Sequence, residues 1–513
     1  MTATAVVDPR AAVPRTSMDG QDVDFKDEAK IEASYLEHGV AADEAEFKRK
    51  EKVLVRKLDL FVAPVLMMLM LISYLDRGNI GFAATQGMAK DIGLKGNQLN
   101  TAVSIFYIFY ILAEFPTSVL VKRLQFNRVI PAITFCWGLT CMCNGFVQNF
   151  AGLCVCRLIL GFFEGCLFPC LTLFFANWYK REELAQRVSY LFIASALSGA
   201  FGGLIAFAIL YMDGVAGYPG WRWLYILEGL ITLVWAGCCI YLVPKDYQTA
   251  YFLNAEDKKI MAWRAEQSRA YSGGTGHYGK KHFKAGAGDI KTWLHAVTQI
   301  MVVTILYGFG TFLPVILRNG FNFTLKQSQY LVIPVNLWGA IVYAIGAYIS
   351  DKKNARFWVL VTMAPVGMAG YAILLAWDVP VGVQYFATYL IATACFICTG
   401  GNIAWLSGNC APDGKRAVSL GIQLTLTNLG GIVSGQIYQT KSAPEFKMGH
   451  GWSLACLGYA FCSWWIIRWI YLRREAGKDR RLAEGWTPEE DERAEREGGI
   501  GFTDRSPNFR YQL

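Results

Sequence analysis

The chain has 513 residues, 54% of them hydrophobic and 17% charged, with 16 Trp, 25 Tyr and 32 Phe. Repeated apolar runs of about 20 residues, the length that crosses a bilayer, exclude a soluble enzyme. The net charge of +9 sits in the tails and loops, so it reads as a basic membrane face and not as a nucleic-acid surface.

Residues 1–52 are polar and of mixed charge, and the first apolar run is too long for the core of a cleavable signal. A cytosolic N-terminal tail is predicted. Twelve apolar runs follow, at about 58–84, 98–121, 129–147, 152–176, 187–211, 222–243, 293–318, 328–349, 357–377, 381–405, 416–439 and 450–472. Each predicts a membrane-spanning helix. The polar segment 244–292, with Ser272-Gly273-Gly274-Thr275-Gly276 and a basic cluster at Lys280, Lys281 and Lys284, splits them six and six. It predicts a cytosolic linker between an N-terminal bundle (53–243) and a C-terminal bundle (293–472), with a cytosolic tail at 473–513. Lys122, Arg123 and Arg128, Lys180, Arg181 and Arg187, Lys352, Lys353 and Arg356, and Lys415 and Arg416 fall on loops of one side. The loops 148–151, 212–220 and 378–380 on the other side carry no Lys or Arg. This bias and the even helix count place both termini inside. Asn322-Phe-Thr324 has the form of a glycosylation acceptor, on a loop short enough to make modification doubtful.

The halves echo each other. SVLVKRLQFNRV (118–129) pairs with GAYISDKKNARF (346–357), and RVSYLFIASALSGAFGG (187–203) with AVSLGIQLTLTNLGG (417–431). A six-plus-six repeat with a long central loop is the architecture of major facilitator transporters, so the expected fold is an all-α membrane protein of twelve helices in two six-helix bundles. Gly199, Gly202 and Gly203, and Gly430, Gly431 and Gly435, are expected to let helices approach closely. The fourteen cysteines follow no disulfide or zinc spacing and read as small buried hydrophobes.

Function is written in the charges that interrupt the spans. Asp76 and Arg77 lie in VLMMLMLISYLDRGNIGFAA (65–84), and Arg157 and Glu164 in LCVCRLILGFFEGCLFPCLTLFFA (153–176). An ion at the bilayer centre costs about 2.5–3.5 kcal/mol on insertion scales, so such groups face the interior and mark substrate or proton paths. A spacing of seven puts Arg157 and Glu164 on one helix face, about 10 Å apart. Helices 1 and 4 run in opposite senses, which predicts the four groups at similar depths across one chamber. Two guanidiniums there would attract an organic anion. A carboxylate balanced between burial and a neighbouring arginine would exchange a proton with that anion. The competing reading is a pair of salt bridges that only fix packing. Asn79 and Tyr74 are expected near the same face. Glu114 and Glu228 are assigned structural roles, Glu114 as a partner of the basic loop after helix 2.

No acid interrupts a span of the second half. Tyr307, Asn336, Trp338, Asn402, Gln423 and Asn428 are its candidates for binding the neutral part of a substrate or clamping a ring, although each type is more often an interhelical contact. No nucleotide-binding motif is present, so the drive is expected to be a proton gradient, with no cofactor.

The fragments SYLDRGNIGFA (73–83), RLILGFFEGCLFP (157–169), NWYKREELAQR (177–187) and GWRWLYILEGL (220–230) resemble the fungal allantoate permease family, in the anion:cation symporter branch of the major facilitator superfamily. The resemblance spans about 50–475. It implies that Arg77 and Arg157 bind a carboxylate and that Asp76 and Glu164 couple protons. It also implies a small organic anion such as nicotinate, allantoate or pantothenate, and a fungal plasma membrane. Cys170 replaces a frequent Gly, and Lys122-Arg123-Leu124 replaces a fuller loop motif that the second half keeps better, with Asp351. The expected protein is a monomeric proton-coupled importer. Its rivals are an exporter or exchanger of a secondary-metabolite acid and a nutrient sensor that does not transport.

Overall fold

The computed structural model describes residues 44–120, 125–271, 280–376, 378–439, 442–487, 490, 493 and 502–513. Lys122, Arg123, Leu124 and the Gly-rich stretch 272–276 lie outside the described residues. The described residues are helical, with turns and short loops between the helices. The helices of nine or more residues are α1 (Glu44–Phe61), α2 (Ala63–Thr85), α3 (Gln98–Leu120), α4 (Phe126–Asn144), α5 (Phe150–Trp178), α6 (Arg181–Ile209), α7 (Gly220–Leu242), α8 (Ala255–Tyr271), α9 (Ile290–Val315), α10 (Val332–Lys353), α11 (Arg356–Ala376), α12 (Val381–Gly408), α13 (Asp413–Thr427), α14 (Leu429–Ile437) and α15 (Lys447–Ala483).

Among the described residues, ten helical stretches are long and apolar enough to cross a membrane. α3 and α4 fill the second and third places of the twelve-span order, and α13 with α14 forms the eleventh span. The span helices begin where local chemistry predicts. Pro64 stands in the first turn of α2. Asn149 caps α5 by accepting from the Gly152 amide, 2.8 Å away, and Asp289 caps α9 by accepting from the Lys291 amide. α10 ends on Asn354 in the left-handed conformation, φ 48°.

α2–α7 pack among themselves, chiefly α3 on α5, α4 on α7 and α2 on α6. α9–α15 do the same, led by α11 on α12 and α15, and α9 on α12 to α15. The halves meet through α2 on α9, α3 on α14 and α6 on α10. These contacts lie from mid-span to the end of the molecule opposite the C-terminal segment, called here the far end. There Asn100 donates to the Gly435 and Tyr438 carbonyls (2.7 and 2.9 Å), Asn97 to Gln436 (2.7 Å), and Gln329 to Thr85 (2.7 Å). The expected glycine contacts are present. Gly199 and Gly203 face Asn336 and Gln329, and Gly431 and Gly435 face Tyr107 and Ser104, each across the two halves. Gly202 and Gly430 instead face their own half.

α15 continues to Ala483, past the expected end of the last span at 472. Its extra turns are held by polar partners: Arg474 binds Asp289 at 2.7 Å, and Lys478 donates to the Phe509 carbonyl at 2.7 Å. Residues 502–513 therefore pack on the second half. Separately, residues 44–60 and 246–271 belong to a smaller unit in which α1 pairs with α8. Lys50–Glu256 (2.6 Å), Lys57–Asp257 (2.6 Å) and Arg264–Glu51 (3.0 Å) join them, with Phe47 edge-on to Trp263.

Candidate substrate and proton site

Arg77 reaches from α2 towards the interface of the halves. Its Nη2 lies 3.0 Å and its Nε 3.3 Å from Glu164 Oε2 on α5. Ser73, one turn earlier on α2, donates to the same oxygen at 3.2 Å. Glu164 is 1% exposed and Arg77 7%, so the pair is withdrawn from bulk water. A removed partner would leave a lone buried ion, which is what makes such pairs sensitive.

Aromatic rings surround the guanidinium. Tyr74 lies 4.6 Å from its carbon, Tyr110 4.9 Å, Phe106 5.3 Å, Tyr307 5.8 Å and Tyr107 5.9 Å. Tyr107 and Tyr307 stack across the two halves with centroids 5.3 Å apart. The rings' negative faces favour the cation. The approach of α3 depends on two glycines of LGFFEG. A Cβ on Gly161 would sit 2.2 Å from the Phe106 carbonyl oxygen, and one on Gly165 2.4 Å from that of Tyr110. Without them α3 could not lay Phe106 and Tyr110 beside Arg77. Glu114, further along α3, accepts from Asn428 of the second half at 2.9 Å.

Asp76 points elsewhere, because adjacent helical residues diverge by about 100°. It turns into the first half and accepts from Trp137 Nε1 (2.7 Å), Cys141 Sγ (3.2 Å) and the Thr232 hydroxyl (3.3 Å). Asn79 donates to Glu228 on α7 at 2.6 Å. Arg157 donates to the Tyr225 hydroxyl at 3.0 Å, and its Nε has no partner. Glu164 Oε1 is likewise without a donor.

The sequence candidates thus divide. Tyr74, Arg77, Glu164 and Tyr307 come together, with Asn428 bridging to Glu114 beside them. Asp76, Asn79 and Arg157 belong to a second group within the first half, among α2, α4, α5 and α7. The single chamber expected for all four charges is resolved into two clusters. Asn336 lies against Gly199 and donates to the Val332 carbonyl of its own helix. Trp338 donates to Thr393 within the second half. Asn402 is committed to His295, Gln299 and Trp464 in the core of that half. Gln423 is fully buried with both amide atoms unpartnered. Glu114 accepts from Asn428; Lys122 and Arg123 of the basic loop expected as its partner lie outside the described residues. Sequence reading passed over Phe106, Tyr107 and Tyr110, although SIFYIFY places Tyr107 and Tyr110 three apart on one face. It also passed over Ser73 and Tyr225.

Two helical halves that close around a buried arginine–carboxylate pair, with a ring from each half stacked beside it, define a secondary transporter. The comparisons give the family. The model of the Major Facilitator Superfamily matches residues 66–435, and the chain belongs to that superfamily. An uncharacterized transporter of Schizosaccharomyces pombe is 40% identical over 439 residues, 85% of this chain and 86% of its own length. The high-affinity nicotinic acid transporter of Saccharomyces cerevisiae is 31% identical over 465 residues, 90% of this chain and 85% of its own. Among solved structures, a bacterial homologue of the human lysosomal transporter Spinster superposes with a TM-score of 0.64 at 13% identity. It covers 80% of this chain and 97% of its own.

Proposed function

We propose that this transporter imports a small, planar organic monocarboxylate of the nicotinate type together with a proton, as a monomer of the allantoate permease branch in a fungal plasma membrane, with both termini cytosolic. The observation that carries the proposal is Arg77, paired with Glu164 inside a box of five aromatic rings to which the second half contributes Tyr307. A guanidinium offers a planar fork to a carboxylate, and stacked rings offer flat faces to the rest of the ligand. The kinship with a protein named for nicotinic acid transport points the same way.

The mechanism follows from competition for Arg77. An incoming carboxylate takes the fork and displaces Glu164. A buried carboxylate without its cation is unstable as an ion, so Glu164 takes up a proton, at the Oε1 that has no donor in the resting pair. One proton and one anion then move together, and no net charge crosses the box. When the anion leaves, Arg77 reclaims Glu164 and the proton is released. Arg157, bonded to Tyr225 and with Nε unpartnered, is the cation of the second cluster.

The test is uptake of radiolabelled nicotinate and a panel of carboxylates by cells producing the full chain, with and without a proton uncoupler. Accumulation that the uncoupler collapses and Arg77→Ala abolishes is expected. Accumulation indifferent to the uncoupler would remove proton coupling. Uptake persisting in Arg77→Ala would remove the aromatic box as the binding site.

A further inference from the structure

One charge inside a span takes no part in either cluster. Arg468 is the one Asp, Glu, Lys or Arg in the apolar run 450–472, within SWWIIRWIYL (463–472) of α15. It lies four residues before the run ends, about 6 Å along the helix axis. That depth is the border between hydrocarbon and lipid headgroups, at the end of the molecule that carries the C-terminal segment. Beyond it α15 turns polar, beginning with Arg473 and Arg474.

Rings hold the Arg468 guanidinium flat against the protein. Its carbon lies 4.3 Å from the Phe357 ring and 4.8 Å from that of Trp358, both on α11. Trp465, one turn earlier on α15, packs edge-on to both, with centroids 4.9 and 6.4 Å away. Trp358, Trp465 and Trp469 are all exposed on the outside of the second half. Indole rings on an outer surface at this depth belong at the headgroup level of a bilayer. Arg473 lies over the Trp469 ring at 3.7 Å, one turn nearer the polar end.

The rings satisfy the faces of the cation and leave its edge. A guanidinium carries five N–H donors. Among the described residues none of those on Arg468 meets an acceptor, and Nη1 is buried without one. The nearby acids are paired with other cations: Asp351 with Arg356 at 3.2 Å, and Glu475 and Asp479 with Arg510 at 2.7 and 2.6 Å. A long cation near a helix end can turn its donors to water, but stacking on two rings holds this one in place. Donors left unmet beside hydrocarbon are costly. The acceptor a bilayer supplies at this level is a phosphate, which a guanidinium edge matches with two parallel bonds. Arg473 beside it favours a lipid of net negative charge.

We infer that Arg468, set among Phe357, Trp358, Trp465 and Trp469, binds the phosphate of an anionic phospholipid on the membrane face nearest the C-terminal segment. Only the assignment of that face to the cytosolic leaflet rests on the proposed orientation.

Native mass spectrometry of the purified full chain, given equal amounts of phosphatidylserine and phosphatidylcholine with the same acyl chains, tests this without any transport substrate. The wild type should retain phosphatidylserine in preference, and Arg468→Gln should bind it about tenfold more weakly. Equal binding by wild type and Arg468→Gln would overturn the inference. Displacement of the lipid by inorganic phosphate at constant ionic strength would also overturn it, by assigning the site to a free anion. A second measurement needs no variant. In phosphatidylcholine vesicles holding the wild type and a phosphatidylserine photoactivatable at its headgroup, cross-links should fall on residues 356–358 and 465–473. Cross-links confined to other segments would overturn the inference.

Discussion

Arg77 has two kinds of neighbour, and they make different demands on it. Glu164 needs only a positive charge and donors; the five rings need a flat, weakly hydrated cation. Lysine satisfies the first and fails the second, since its ammonium is a compact, strongly hydrated point charge. Arg77→Lys is therefore expected to fold and keep an ion pair, yet bind carboxylate more weakly. Loss of a charge-assisted bond costs about 1.5–3 kcal/mol, about ten- to 150-fold in affinity, read as a raised nicotinate concentration for half-maximal thermal stabilisation. Affinity within twofold of wild type would show that charge alone suffices. Tyr307→Phe should bind nearly as wild type, because the ring face is kept, while Tyr307→Ala should lose about 1 kcal/mol or more. Equal losses in both would assign the hydroxyl, not the ring. The sequence made Arg77 and Glu164 conspicuous because a charge in an apolar run is costly and must be matched by a partner. It hid Phe106 and Tyr110, since aromatic residues in an apolar helix are unremarkable until a glycine-lined groove on α5 brings them to a cation. It also could not distinguish the facing of Asp76 from that of Arg77, because helix rotation is set by packing partners and not by the run itself.

At the scale of elements, the C-terminal segment does what its composition conceals. The sequence reads 473–513 as a charged tail, but α15 runs on to Ala483 and residues 502–513 return to the second half. Asp504 bonds to Lys291 and, at 2.7 Å, to Lys415. Asp289 bonds to Lys415 at 2.6 Å and to Arg474 at 2.7 Å. Tyr511 stacks on Tyr471 with centroids 4.8 Å apart, and Trp405 Nε1 donates to the Gln512 carbonyl at 2.7 Å. One segment thus joins α9, α12, α13 and α15. Single-sequence reading misses it because the charged partners lie 89 to 213 residues apart, and no periodicity announces a pairing of charges. Burial alone would push Asp289 up, but the Arg474 bond and the Lys291 and Lys415 charges outweigh it and hold its carboxyl below the usual range. Burial likewise pushes Asp504 up, and Lys291 and Lys415 bring it below its usual value. A carboxyl held low stabilises the fold fully above its unfolded pKa, about 4, and loses that contribution as pH falls through its folded value. Asp504→Asn leaves Lys291, fully buried, without its nearest acid. It should cost about 3–5 kcal/mol, and its melting temperature should fall less between pH 7 and pH 3 than that of wild type. Parallel pH profiles in a melting experiment would mean that Asp504 contributes no linked proton.

Alternating access in the whole molecule requires that contacts between the halves be made in one conformation and broken in another. The far end shows what makes closure possible. Asn97, Asn100, Ser104 and Gln436 form a polar seam in which α3 donates to α14 and Gln436 returns a bond to Ser104 at 2.9 Å. Such bonds exchange readily for water, so the seam can open without stranding buried groups. The α2–α9 crossing is different, since it is backbone against backbone. A Cβ on Gly81 would lie 1.9 Å from the Thr311 carbonyl oxygen, and a main-chain atom cannot move aside as a side chain can. Alanine at 81 suits a helix better than glycine, so the variant should fold, while the first half can no longer reach α9 in this arrangement. Gly81→Ala is thus a substitution against one conformation and not against the fold. Introduced together with Asn97→Cys, it should raise the rate at which the introduced thiol reacts with a membrane-impermeant reagent over that of Asn97→Cys alone, because the seam around Asn97 spends more time open. It should also reduce transport, since a cycle that cannot close at the far end cannot return. An unchanged thiol reaction rate in a folded Gly81→Ala protein would mean that the α2–α9 crossing does not control the seam, and that the halves separate at the far end about some other contact.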